Sequence, residues 1–172
     1  GMVAGSGTIV GTAMQETITG SSTDDLITAN GGFDLINTGA GNDVVVLNSI
    51  DIAYDLNQVT AISDFADGFD RIGIGQGMSI NDFTAIQGTG AFATDTAILY
   101  RGSGYLCVLQ NTNAANISSA DFVLTEPVTV SGTPAGEFLL GGIADDEIFG
   151  RGGDDSISCL LYTSDAADEE DS

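Results

Sequence analysis

The chain contains no histidine and no lysine, and its only bases are Arg71, Arg101 and Arg151. Without histidine there is no Ser-His-Asp or Cys-His catalysis, no H-E-x-x-H motif and no imidazole ligand for zinc. No G-x-S-x-G elbow occurs, and the glycine-rich loops lack the lysine of a P-loop. Paired acids of the glycosidase kind are plentiful. They sit in glycine turns, however, and not in a mixed apolar cleft where one pKa is raised, so the chain is expected not to be an enzyme. Three bases against 25 acids leave a formal net charge of −22 over 172 residues. Such a surface repels nucleic acid and anionic membrane, and it repels itself, so compactness at neutral pH calls for bound cations. No apolar run approaches the length of a membrane span, so no membrane insertion is expected. The first residues show no charged region followed by an apolar one, the mark of a cleavable secretory signal. A hydrophobic content of 42% is nevertheless too high for a plain disordered acidic tail.

What fills this composition is a repeat. Every ninth residue of the first stretch is apolar: Ile9, Ile18, Ile27, Ile36 and Val45. Asp25, Asp34 and Asp43 each stand two residues before the last three of these, behind glycines, as in Gly31-Gly32-Phe33-Asp34 and Gly39-Ala40-Gly41-Asn42-Asp43. The phase returns as Val130, Leu139, Ile148 and Ile157, with Glu137, Asp146 and Asp155 two residues ahead of the last three. This is the pattern G-G-x-G-x-D-x-U-x, and on it the chain resembles the hemolysin-type, or RTX, calcium-binding repeat family. The likeness is close over residues 38–46, 141–149 and 150–158 and looser over residues 20–28.

The spacing has its own physical meaning. Nine residues suit one short strand and one tight turn, and glycine lets the turn take positive φ and brings backbone carbonyls together. The x-U-x part makes a three-residue strand whose middle side chain points inward. No unit buries that side chain alone, so units stack, two per coil, into a flattened parallel β-roll. Aspartates of alternate turns then lie about 5 Å apart, at the strand spacing. Bare carboxylates at that separation repel by about 3 kcal/mol at an effective dielectric near 20. A hard cation between them reverses the sign. Ca²⁺ accepts carboxylates and backbone carbonyls together, whereas Mg²⁺ demands a smaller octahedral cage.

The expected metal ligands are therefore Glu16, Asp25, Asp34, Asp43, Glu137, Asp146 and Asp155, with turn glycines Gly20, Gly32, Gly39, Gly41, Gly141, Gly142 and Gly153. Asp25 and Asp43 are expected to share one site, and Glu137 and Asp155 another. Asp34 is expected to pair with Glu16 or with the poorer turn after Leu47, and Asp146 needs a partner turn that this chain is not certain to contain. Asp24, Asp145 and Asp154 are expected to tune local charge.

Between the two blocks runs a non-repetitive stretch read mostly as strands. Residues 61–63 and 71–74 flank a turn containing Asp64, Asp67 and Asp70, which lacks EF-hand spacing and is expected to be a turn of solvated acids more than a further calcium site. Residues 96–100 and 105–110 form a hairpin, and residues 79–83 and 118–122 each fit one helical turn behind a serine cap. Cys107 lies in an apolar run and is expected in the core. Residues 62–74 and 106–122 resemble β modules that accompany RTX repeats, with the expected role of covering an open end of the roll.

The fold class is thus all-β: two parallel β-roll segments, residues 1–54 and 128–158, flanking a small β-rich module at residues 55–127. Residues 159–172 match no repeat and look like translated sequencing adapter, with an acidic tail or an uncleaved secretion signal as the competing reading. Excluding them leaves Cys107 as the one thiol and no internal disulfide, so calcium must supply the cross-linking. Residues 17–20 correspond to residues 129–132, which suggests a tandem array and a longer parent chain. The resemblance implies a secreted bacterial protein that leaves through a type I secretion apparatus and folds outside the cell on calcium. The alternatives are the accessory region of a secreted protease or lipase, or the spacer of a large adhesin.

Overall fold

A computed structural model of the chain describes residues 1–75, 77–125, 129–131, 134–136, 138–140, 147–149 and 151–158. They fall into two units, residues 1–122 and 123–172. The strands in chain order are β1 (Met2–Ala4), β2 (Thr8–Val10), β3 (Thr17–Thr19), β4 (Leu26–Thr28), β5 (Leu35–Asn37), β6 (Val44–Leu47), β7 (Ala61–Ile62) and β8 (Arg71–Ile74). There follow β9 (Phe83–Gln87), β10 (Thr96–Tyr100), β11 (Gly104–Leu109), β12 (Phe122–Leu124), β13 (Thr129–Ser131), β14 (Phe138–Leu140), β15 (Glu147–Phe149) and β16 (Ser156–Ser158).

The first unit is a parallel roll. Odd strands β1, β3, β5 and β7 line up in one sheet, and even strands β2, β4, β6 and β8 in the other. Pairing runs in parallel with Thr17 beside Leu35 and Leu26 beside Val44, so one coil is two nonapeptides. Each short strand presents one side chain inward because successive side chains alternate faces. Ile9, Ile18, Ile27, Ile36, Val45, Ile62 and Ile72, drawn from both sheets, take that inward place and are all buried.

The expected boundary at residues 54 and 55 falls inside the roll. Strand β7 extends the first sheet beside β5, and β8 extends the second beside β6, both in parallel. The chain achieves this by lengthening its turns while keeping the inward apolar phase. The turn before β7 contains two 3₁₀ turns, Ser49–Asp51 and Leu56–Gln58.

Beyond β7 the sheet changes character. Strand β11 adds in parallel, and β10 and β9 then follow antiparallel, with a register shift between Ile98 and Leu99. This hairpin extends the sheet edge that β7 would leave unpaired, and an unpaired edge invites association with other chains. Leu106, Cys107, Val108, Leu109 and Ile98 are buried in it. Burial pushes the Cys107 thiol up, so it is an inert core residue. The two serine-capped turns are 3₁₀ turns, Ile80–Asp82 and Ser119–Asp121. Asp82 accepts from the Ser79 N–H at 2.9 Å, and Asp121 accepts from the Ser118 N–H at 2.8 Å. Phe83 stacks on Phe122, with ring centroids 5.8 Å apart.

In the second unit β13 pairs with β15, and β14 with β16, again in parallel. Ile157, an expected inward position, keeps 52% of its surface exposed, because no further coil among the described residues lies over it. The tail at residues 159–172 lies outside the described residues.

The stability of the roll rests on its apolar column. Replacing Ile36 by Ala should cost about 2–5 kcal/mol in denaturant unfolding. The same truncation at Val10, whose side chain is exposed, should change stability by no more than about 0.5 kcal/mol.

Candidate metal centre

The turns of the roll stack as closely as the strands do. A Cβ on Gly39, whose φ is +89°, would lie 2.0 Å from the Ser21 carbonyl oxygen, and one on Gly20 would lie 2.1 Å from that of Thr38. A Cβ on Gly32 would lie 2.5 Å from the Met14 backbone, and one on Gly41 would lie 2.8 Å from that of Thr23. Gly153 packs on Ala135 in the same way in the second unit. Glycine is therefore required by backbone contact between coils, and at Gly32, Gly39, Gly41 and Gly153 by positive φ as well.

Along one edge of the first unit, the carboxylates form a ladder. Asp25 Oδ1 accepts from the Gly7 N–H at 2.7 Å, Asp43 Oδ1 from the Asp25 N–H at 2.8 Å, and Asp70 Oδ1 from the Asp43 N–H at 3.1 Å. Along the other edge Asp34 Oδ1 accepts from the Glu16 N–H at 2.8 Å, and the Asp34 N–H donates to Thr60 Oγ1 at 3.1 Å. Each carboxylate thus reaches back one coil. Glu16, Asp25, Asp34, Asp43 and Asp70 are all buried.

Two oxygens have no partner in this network. Asp34 Oδ2 and Asp43 Oδ2 are buried without any hydrogen bond. An unpaired buried carboxylate oxygen is costly, and the protonation behaviour reflects that cost. Burial, reinforced by Glu16 and Asp51, raises Asp34 to about 6 against an opposing hydrogen bond from the Glu16 N–H. Burial, reinforced by Asp70 and Asp25, raises Asp43 to about 7 against an opposing hydrogen bond from the Asp25 N–H. Among the described residues the ion pair in evidence, Arg101 with Asp82 at 3.1 Å, is exposed and serves neither of them. Among the described residues, too, no three acid, histidine or cysteine side chains gather closely enough to hold a metal by themselves. An ion in these turns takes carboxylates along with backbone carbonyls, the donor set that Ca²⁺ tolerates and Zn²⁺ does not favour.

Comparison with protein-family models supplies the deciding observation: residues 10–45 and 131–158 match the RTX calcium-binding nonapeptide repeat, in four copies. The chain carries RTX calcium-binding repeats. Neither the curated proteins nor the solved structures yield a match. The RTX repeats account for the paired edges and for the buried acids between them, since repeats of this kind bind calcium.

The structure places the expected residues unevenly. Asp25 and Asp43 are joined through the Asp25 N–H, and Glu16 and Asp34 through the Glu16 N–H. The turn after Leu47 also approaches Asp34: Asp51, buried, accepts from the Gly31 N–H at 2.8 Å and adds its charge. Asp155 is half-buried in the second unit, while Glu137, Gly141, Gly142 and Asp146, with Asp145, lie outside the described residues. Asp24 does more than tune charge, since its Oδ1 accepts from the Asn42 N–H at 2.7 Å across one coil.

The largest correction concerns the Asp64, Asp67 and Asp70 turn. Of the three only Asp67 is exposed, and it stands beside the buried Asp121. Asp70 folds back to accept from the Ala66 N–H at 2.9 Å, and Asp64 accepts from the N–H groups of Thr38 and Gly39. The signal was present in the sequence: Asp70 stands two residues before Ile72, as Asp43 stands before Val45. A longer loop hid it, because the step from Asp43 to Asp70 is 27 residues and not 18.

Two measurements follow from this geometry. Gly39→Ala should destabilise the roll by more than about 1 kcal/mol. Gly68→Ala, at positive φ but in open space, should cost less. In metal-free protein the raised Asp34 and Asp43 favour folding while protonated. Their contribution is complete below the ordinary carboxylate value of 3.8 and is lost as pH rises through about 6 to 7. The thermal midpoint in excess chelator should therefore fall between pH 5 and pH 8, and saturating calcium should flatten or reverse that fall.

Proposed function

We propose that this chain is the calcium-binding β-roll region of a secreted bacterial RTX protein, and that it completes its fold on meeting calcium outside the cell. The observation that carries this reading is the pair of buried, partnerless carboxylate oxygens, Asp34 Oδ2 and Asp43 Oδ2, inside stacked repeat turns. Asp25 and Asp43 with the carbonyls of turns 20–25 and 38–43 would hold one ion, and Glu16 and Asp34 would hold another on the opposite edge. Gly20, Gly39 and Gly41 would permit the backbone approach at the first site, and Gly32 at the second. The repeats of the second block would add sites through Glu137, Asp146, Asp155, Gly141, Gly142 and Gly153.

The chemistry links ion binding to folding. Where calcium is scarce the stacked carboxylates repel and the chain stays extended, a state suited to passage through a type I secretion apparatus. Where calcium is abundant the same carboxylates become ligands, and binding free energy becomes folding free energy. Sites of this extracellular kind work with Kd of about 10⁻⁴ to 10⁻³ M. The role is structural and not catalytic. A hydroxyl nucleophile here would have no histidine to activate it. The parent is a longer protein, either a tandem adhesin-like array or an enzyme with this region as accessory.

Titrating the metal-free chain with calcium from micromolar to about 10 mM should convert a coil-rich circular dichroism spectrum to a β spectrum. Chelator should reverse the change, and magnesium at the same concentration should not reproduce it. A spectrum that stays constant through the titration would refute the proposal.

A further inference from the structure

We infer that the first unit carries a binding cleft for a neutral sugar ring, where the repeat turn that holds Phe33 meets the long turn before β7 and the sheet extension beyond it. The inference stands apart from the calcium reading of the acid ladders.

The floor of the cleft follows from strand register. Leu35, Ala61 and Val108 stand in one row across the parallel strands β5, β7 and β11. They lie on the face opposite the inward Ile36 and Ile62, because successive side chains alternate. Phe33, and Phe92 from the 3₁₀ turn Gly90–Phe92, add aromatic walls. The cleft measures about 270 Å³. That is near the lower end of small-molecule pockets, about 300–1,000 Å³, and suits one small ring.

Two features distinguish this cleft from a packing gap. The first is Phe33, a bulky side chain at φ +48° with 40% of its surface exposed. The residue just before the repeat acid is polar in the other turns of the first block, as Gln15, Asp24 and Asn42. This turn therefore accepts an unfavourable backbone conformation to hold an aromatic ring at the surface, and strain of that kind gathers at ligand sites. The second feature is a set of neutral amides with bonding capacity to spare. The side chains of Gln15 and Gln110 line the cleft and make no hydrogen bond among the described residues. Asn57 is steadied by Asp55, which accepts from its N–H at 2.9 Å and its Nδ2 at 3.1 Å, and the Asn57 Oδ1 is left free.

This lining selects a ligand class. An amide both donates and accepts, as does each hydroxyl of a pyranose. The C–H face of such a ring is apolar and packs on an aromatic wall and an aliphatic floor. A chain of formal charge −22 repels an anionic ligand, and no base lines the cleft to offset that. A cationic ligand needs a spare carboxylate. The one acid in the lining, Asp34, belongs to the repeat site.

The test is amide NMR on the full chain in calcium, with the methyl glycosides of glucose, galactose and mannose as probes. At least one glycoside should give saturable shifts at the side-chain amides of Gln15, Asn57 and Gln110, and glucuronate, an anionic counterpart, should bind more weakly. Phe33→Asn places in the turn a residue that tolerates positive φ. It should keep or raise the thermal midpoint and keep the circular dichroism change on calcium, yet weaken glycoside binding about tenfold or more. Phe69→Ala, 60% exposed in the turn between β7 and β8, should bind as the unaltered chain does. Absence of shifts at the three amides overturns the inference, as does Phe33→Asn with unchanged affinity. Uptake of the neutral apolar dye Nile red at these amides without any glycoside response marks a hydrophobic docking surface and overturns it too.

Discussion

Everything in this molecule depends on one buried contact repeated coil by coil: a carboxylate that reaches back to the backbone N–H of the residue one coil earlier. The contact joins Asp25 to Gly7, Asp43 to Asp25, Asp34 to Glu16 and Asp70 to Asp43. It fixes the register between coils from the turn side, as the strand ladders fix it from the sheet side. It also forces acids into a column with like charges above or below, and at Asp34 and Asp43 only one of the two oxygens is engaged. Hydrogen bonding to backbone N–H favours the ionised form, while burial and like charges oppose it. For Asp34 and Asp43 the opposing effects prevail. A cation is the component that reconciles a compact roll with a formal charge of −22.

The roll tolerates irregular turns because its strands and its turns obey separate rules. A strand needs only an inward apolar residue in the right phase, which Ile62 and Ile72 supply as well as Ile36 and Val45 do. A turn needs either glycine, as at Gly39, or a longer path that avoids the close backbone approach. The steps of 26 and 27 residues into β7 and β8 take the second course and recruit polar side chains, Asp51, Thr60, Asp64 and Asp70, to occupy places that a short turn leaves to backbone. Loop length is a modest entropic cost when the ends are already held.

The same reasoning explains how the roll ends. A parallel stack has no intrinsic stop, since each coil leaves a new edge. Strand β11 accepts the last edge in parallel and then turns the sheet antiparallel through β10 and β9, so a local hairpin replaces the crossover that further parallel pairing requires. Serine-capped 3₁₀ turns and the stacked pair Phe83 and Phe122 fasten this region with short-range contacts rather than with the long-range ladder of the roll.

The all-β class, the two-nonapeptide coil, the inward column and the calcium chemistry were legible in the sequence. Period and residue type state them directly: an apolar residue at every ninth position, an acid two before it, and glycine where coils touch. The serine-capped turns and the buried Cys107 were legible for the same local reason. The extent of the roll was not, because β7 and β8 carry the strand phase but not the turn phase, and only packing against β5 and β6 shows that they belong. Nor was the role of Asp70, whose kinship with Asp43 lies across 27 residues. Which carboxylate oxygens are left without partners was also decided by the tertiary structure. Sequence places an acid in a turn, but only the stacked backbone determines which of its two oxygens finds an N–H and which is buried facing none.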